Sequence, residues 1–350
     1  MQRDGTIVPA RGTTVGDILA CVSLLIDHLD KRFGTTVALD GLAFEVPEGQ
    51  VFGFLGANGA GKTTTMRIVL GVLQADRGTV TWKGTDSRVL PRATWGYLPE
   101  ERGLYPRMVV VDQLAYFASL YGLAPDRARR EALHWLTRFR VPELGPRRAE
   151  ELSKGNQQKI QLIAAILHDP EVLLMDEPFT GLDPVNVALL REAFLELRDQ
   201  GRTLIFSTHQ METVEALCES IAIVDRGRVV IGGAVRDIRR AAGRRLVRIA
   251  VEGDHKLAWI AEVPGVRILR PSFDRTEIEL DVGVEPDAVL AAAIRRGARV
   301  THFEVVDASL EQIFIDHVGR PPDEDLHLAP SGEISDPNPA PRIASDEPAA

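Results

Sequence analysis

The segment GANGAGKTT, residues 56–64, places three glycines, a lysine and two threonines at a spacing suited to holding phosphate. Gly56, Gly59 and Gly61 let the backbone turn with its N–H groups pointing inward, with Ala57, Asn58 and Ala60 between them. A helix starting there aims its positive end at the same place. Lys62 can then reach the outer phosphates, and the hydroxyl of Thr63, followed by Thr64, can ligate Mg²⁺. The bland alternative is a glycine-rich turn with an incidental lysine. Against it, the segment runs from an apolar strand, VFGFLG, into a helical pattern, which is the context a phosphate loop requires.

A second candidate is VLLMDEP, residues 172–178, an apolar strand ending in two carboxylates. Ligands of open α/β sheets bind at the carboxyl ends of strands. Asp176 is expected to hold Mg²⁺, directly or through water, and Glu177 to act as general base toward an attacking water. STH, residues 207–209, closes another strand, and His209 is placed to sense a terminal phosphate. GLDP, residues 181–184, is a turn by composition.

The stretch LSKGNQQK, residues 152–159, breaks local rules. A helix begins near Ser153, yet its first turn (Lys154, Gly155, Asn156, Gln157) holds no acid and an early glycine. Such a start suits an anion from outside the segment, although the chain already has a better anion site about 90 residues earlier.

The elements that must position these groups alternate along the chain. LLIDHLDKRFG and LAFEVPEGQVFGFLG read as short strands split by turns, GTVTWKG as a hairpin, residues 109–140 as helix broken near Pro125, and 157–168 as an apolar helix. Short apolar strands then alternate with helices, which implies a mainly parallel α/β sheet. Residues 245–318 read differently: strands at 245–251, 266–271, 276–282 and 299–306, and helices at 255–262, 286–296 and 308–318. That order is a split βαβ sandwich with a final helix.

The chain has 350 residues, of which 45% are hydrophobic and 26% charged, as in an ordinary globular protein. The net charge of −9 is uneven. Residues 321–350 hold seven acids, one base and seven prolines, leaving −3 for the other 320 residues. They are expected to form a disordered, dispensable tail. No basic block points to nucleic acid, so none is expected as a partner. Cys21 and Cys218 fit neither a metal-ligand spacing nor a disulfide framework. No segment is long and apolar enough to span a bilayer, and ILACVSLLI (18–26) reads as a leader running into the first strand.

The motifs together, over about residues 23–235, resemble the ATP-binding cassette family of ATPases. The resemblance implies a P-loop ATPase core with antiparallel β and helical subdomains, plus a small α+β, ferredoxin-like C-terminal domain. The expected division is a flexible leader (1–22), an ATP-binding domain (23–240, helical subdomain about 100–165), the small domain (241–320) and the tail. The resemblance starts near Leu24, which leaves a start downstream of Met1 open. It also implies that two such domains pair head to tail, so LSKGN would serve an ATP held by the other protomer, through Ser153 and Gly155. It further implies Phe33 stacked on adenine, Asp183 at the dimer interface and His209 as switch histidine. Lys154 and Asn156 depart from the family's LSGGQ pattern; a phosphate contact and a water-facing position both stay open for Lys154. In GYLPEERGLYP, Glu100 stands where many members carry a glutamine near Mg²⁺, and a carboxylate is also a hard oxygen ligand.

LSKGNQQK, GYLPEERGLYP and SLEQIFIDHVG resemble a bacterial exporter subgroup. This implies ATP and Mg²⁺ as cofactors, a homodimer or a closely related second ATPase subunit, a polytopic membrane permease, and a cytoplasmic place on the inner face of the membrane. A soluble cassette ATPase acting on ribosomes or DNA is the competing reading. Ribosome-acting members usually carry two cassettes, and DNA-acting members need a coiled-coil insertion longer than residues 100–150.

Overall fold

The computed structural model describes residues 22–101, 103–242, 245–254, 256–270, 274–281 and 283–319. The expected tail, Cys21 and all but the last residue of the expected leader lie outside the described residues.

Three sheets organise the described residues. The first is antiparallel, in the order β2-β1-β4-β5, from strands Val22–Phe33 (β1), Thr36–Pro47 (β2), Arg77–Trp82 (β4) and Thr85–Asp86 (β5). The second carries the motifs. It runs β10-β9-β3-β8-β7-β6 through Val51–Leu55 (β3), Trp95–Leu98 (β6), Val172–Asp176 (β7), Thr203–Thr208 (β8), Ser220–Asp225 (β9) and Arg228–Ala234 (β10). β9, β3, β8, β7 and β6 are parallel and β10 is antiparallel. Every residue of β3, β7 and β8 is buried, which explains their continuous apolar runs: both faces are covered. Phe52, Phe54, Val172, Leu174 and Ile205 face the antiparallel sheet, while Val51, Leu55, Leu173, Met175, Leu204 and Phe206 join the helical side.

The helices are Lys62–Val69 (α1), Val110–Leu120 (α2), Pro125–Arg138 (α3), Lys154–Ile166 (α4), Pro184–Asp199 (α5), Met211–Leu217 (α6) and Val235–Ala241 (α7). Pro125 sits in the first turn of α3, where its missing N–H costs nothing, so the break read from sequence is a boundary between two helices.

The third sheet, β12-β13-β11-β14, is antiparallel, from Arg245–Val251 (β11), Val266–Arg270 (β12), Thr276–Leu280 (β13) and Val300–Asp307 (β14). With Pro286–Arg295 (α8) it forms the expected ferredoxin-like unit, followed by Leu310–Val318 (α9) as the final helix. One element differs: the helix expected over 255–262 is a 3₁₀ segment, Ala258–Glu262. Its Trp259 and Ile260 pack into the small core around Val247, Ile249 and Ile278. α9 leaves that unit: Leu310, Ile313 and Phe314 belong to the main helical-side core.

Candidate functional site

Because β3, β8, β7 and β6 are parallel neighbours, their carboxyl ends share one edge of the sheet. β3 runs into Gly56, β7 into Glu177, β8 into His209 and β6 toward Glu100. Four segments far apart in sequence therefore meet at the edge where ligands of open α/β sheets bind.

The loop 56–61 turns between β3 and α1. Gly61 has φ 108°, and a Cβ there would lie 2.7 Å from the Ala38 carbonyl oxygen and the Leu39 side chain. Only glycine fits that backbone and that approach. Ala57 and Ala60 are buried, Asn58 and Gly59 exposed, Thr63 and Thr64 half-buried. Lys62 is buried and folds back, donating to the carbonyls of Gly56 at 2.7 Å and Ala57 at 3.2 Å. Burial pushes its ammonium down from the usual lysine range, opposed by the facing carboxylates of Glu177, Asp176 and Glu100. An anion delivered to this loop would meet a buried cation with only carbonyl partners.

Asp176 is 1% exposed. It accepts from the Thr63 hydroxyl at 2.7 Å and from the Ser207 hydroxyl. Glu177, 8% exposed, has a left-handed backbone (φ 49°), unusual for a non-glycine residue and found at functional sites. Its N–H donates to Ser207 Oγ and to the Ser207 carbonyl, each at 3.2 Å. One carboxylate oxygen accepts from Thr180 Oγ1 at 3.1 Å and the other lies 3.0 Å from His209 Nδ1. Glu100 is exposed over much of its surface. Its carboxyl is nonetheless pushed above the usual range, first by the water it loses and then by Asp176 and Glu177 facing it.

These oxygens suit Mg²⁺. The Thr63 hydroxyl and the Asp176 and Glu100 carboxylates are hard donors, few enough to leave positions for phosphate and water.

The other candidates gather elsewhere. Ser153 caps α4, its hydroxyl accepting from Asn156 N at 3.4 Å, and the first turn holds no acid. Ser153 and Lys154 are exposed, Gly155 and Asn156 half-buried. A Cβ at Gly155 would meet Asn186 Nδ2 at 3.0 Å and Leu182 at 3.6 Å, so this stretch adjoins the 181–184 turn. Asp183 caps α5, accepting from Val185 N and Asn186 N at 3.0 Å. Those bonds, Asn186 N foremost, hold its carboxyl below the usual range. Phe33 ends β1 at 46% exposure, with the Lys31 ammonium 5.6 Å from its ring centroid. Its hairpin partner β2 supplies the Ala38 carbonyl that crowds Gly61.

The sequence reading missed Ser207 and Thr180. A serine inside a fully buried strand was the available signal for the first, since buried hydroxyls need partners.

Over residues 39–180 the chain matches the family described as ABC transporter, and over 233–318 the one described as ATP-binding protein DrrA1-3-like, C-terminal domain. It is 44% identical over 299 residues to the uncharacterized ABC transporter ATP-binding protein YhaQ of Bacillus subtilis (strain 168), covering 85% of this chain and 98% of that one. The chain belongs to the ABC transporter ATP-binding proteins. It is also 33% identical over 315 residues to a Nod factor export ATP-binding protein I of Ralstonia nicotianae, covering 85% and 94% of the two chains. Among solved structures, an ATP-binding subunit of an ABC transporter superposes with a TM-score of 0.59 at 32% identity, covering 63% of this chain and 93% of that one. As an ABC ATP-binding protein, the chain carries a domain that binds ATP, and the family implies ATP hydrolysis. Among the described residues no helix is long and apolar enough to cross a membrane.

Proposed function

We propose that this chain is the ATP-hydrolysing subunit of an exporter, working as a head-to-tail dimer on a separate membrane permease. The observation that carries the reading is the Glu177–His209 pair. It is a nearly buried carboxylate 3.0 Å from a histidine nitrogen, at the sheet edge shared by the phosphate loop.

Each group has a task in that reading. Lys62 exchanges its loop carbonyls for oxygens of the terminal phosphate. The N–H groups of the loop and the start of α1 hold the phosphates behind it. Thr63, Asp176 and Glu100 are the oxygens for Mg²⁺, which when bound offsets phosphate charge. The Thr63 and Ser207 hydroxyls fix Asp176 in place. Glu177 takes a proton from water as that water attacks the terminal phosphorus, and ADP leaves with the electron pair of the broken P–O bond. His209, bound to Glu177 through Nδ1, keeps Nε2 for the phosphate or the water. Phe33 stacks on the base.

The exposed Ser153 and Lys154 and the half-buried Gly155 and Asn156 serve the ATP of the other protomer, beside Asp183. The acid-free helix start at α4 supports this, because its positive end is capped only by the neutral Ser153 hydroxyl and its first turn holds no carboxylate. A relative named for Nod factor export supports the exporter reading; on that reading the chain is held peripherally on the inner face of the membrane by a permease partner.

The test is Glu177→Gln. It should bind ATP, lose about 10²–10⁴-fold in turnover and accumulate an ATP-dependent dimer on size exclusion. Near wild-type turnover would place the base elsewhere. Copurification with a polytopic membrane protein supports the exporter, whereas ribosomes or DNA would favour the competing class.

A further inference from the structure

α6 starts at Met211, two residues after His209. Seven residues are too few to hold a helix in water, so α6 takes its position from what packs on it. It lies close against β3: a Cβ at Gly53 would meet Val214 Cγ1 at 2.9 Å and Cys218 Sγ at 3.1 Å. It also meets α9, whose Leu310, Ile313 and Phe314 share a buried cluster with Met211, Val214 and Leu217.

A polar bond joins the same two helices. Glu215 Oε1 accepts from the N–H of Leu310, the first residue of α9. That N–H has no partner within its own helix, and the carboxylate sits at the helix's positive end, so the bond is charge-assisted. The junction is fixed from the other side too. Ser309 Oγ accepts from Gln312 N at 3.2 Å, and Arg239 of α7 donates to the Ala308 carbonyl at 3.1 Å. Asp307 ends β14, so a continuous path runs from the C-terminal sheet through α9 and Glu215 to α6 and His209.

We infer that Glu215 is a positioning residue through which the C-terminal domain holds His209 against Glu177. This rests on the reading of Glu177 and His209 given above. The chemical step then depends on the bond while nucleotide affinity does not, because the hydrogen bonds of the phosphate loop and the start of α1 run to Gly56, Ala57, Thr65, Asp176 and Gly227 rather than to α6.

The experiment compares the full chain with Glu215→Ala, Glu215→Gln, Ser309→Ala and His209→Ala, by ATPase kinetics and by binding of a fluorescent ATP analogue. Glu215→Ala should lower kcat about tenfold, the scale of one lost charge-assisted bond, with KM and analogue affinity within about twofold of wild type. Glu215→Gln keeps an acceptor oxygen and should recover most of that loss. In single turnovers, Glu215→Ala should add little to His209→Ala, because coupled losses do not sum. If Glu215→Ala fails to fold, Ser309→Ala loosens the same junction and should lower kcat at unchanged affinity. Wild-type kcat in Glu215→Ala, or losses that sum fully with His209→Ala, would overturn the brace. Wild-type turnover in His209→Ala would instead overturn the reading of the site on which it rests.

Discussion

Ser207→Ala isolates one bond at the strand end. Ser207 is fully buried, and its hydroxyl donates to Asp176 and accepts from Glu177 N. Removing the oxygen leaves packing nearly unchanged. Glu177 N keeps the Ser207 carbonyl at 3.2 Å, so the loss falls on Asp176, 1% exposed, which is left with Thr63 at 2.7 Å. Hydrogen bonds to charged groups contribute about 1.5–3 kcal/mol, and one surviving partner puts this loss near the low end, about 1.5 kcal/mol. The folded chain should lose about that much stability in urea titration. When Thr63 turns to the cation, Asp176 has no other fixed hydroxyl, so the half-saturating Mg²⁺ concentration for ATPase should rise about tenfold, the equivalent of about 1.4 kcal/mol. Mn²⁺ binding to the ATP-loaded chain, followed by paramagnetic resonance, should weaken in parallel. Unchanged metal dependence together with unchanged stability would refute the claim that Ser207 organises Asp176.

Three further outcomes are expected. Glu100→Gln replaces a carboxylate crowded by Asp176 and Glu177 with a neutral amide. It should melt higher than wild type in chelator at pH 8, and a lower melting point would show that Glu100 is not in like-charge conflict there. His168 stacks on Tyr121 with centroids 3.8 Å apart, and burial pushes its pKa below the ordinary value. Its neutral form is therefore favoured by folding, and the stability it contributes is present above about pH 6.5 and lost as pH falls. Melting temperature should thus drop more steeply between pH 7.5 and 5.5 in wild type than in His168→Gln, which can still donate to the Trp95 carbonyl; parallel slopes would contradict this. Lys154→Gly restores the family's pattern at an exposed position. An ATP affinity of the dimer that weakens and becomes less salt-dependent would assign Lys154 a phosphate contact, and no change would place it in water.

Much of the site was legible because its signals are local. The phosphate loop, the carboxylates after an apolar strand and the acid-free helix start each fit within nine residues of sequence. The split βαβ order of the C-terminal unit followed from alternating patterns, and its sheet is the one that order implies. What stayed hidden is contact between distant segments. Ser207 meets Asp176 across 31 positions, and Glu215 meets Leu310 across 95. β6 is four residues long and carries no alternation to mark it. Asp183 read as part of a turn and, by resemblance, as an interface residue; that its side chain also caps α5 did not show in the sequence. The expected helix at 255–262 is the 3₁₀ segment Ala258–Glu262, placed by Trp259 and Ile260 packing into the small core, a tertiary contact the sequence pattern did not show.

The most direct measurement of the proposed composite site mixes two variants expected to be inactive, Lys62→Ala and Ser153→Ala, co-expressed with the proposed permease partner. In the proposed head-to-tail arrangement each homodimer alone has both sites damaged. In a mixed dimer one site takes both lesions, and the other combines an intact Lys62 from one protomer with an intact Ser153 from its partner. Random pairing makes about half the dimers mixed, so about a quarter of all sites are whole. ATPase activity should return toward that fraction, scaled down if both sites must fire together. Activity that stays absent while mixed dimers are shown to form would contradict a site in which one protomer's signature serves the other's ATP.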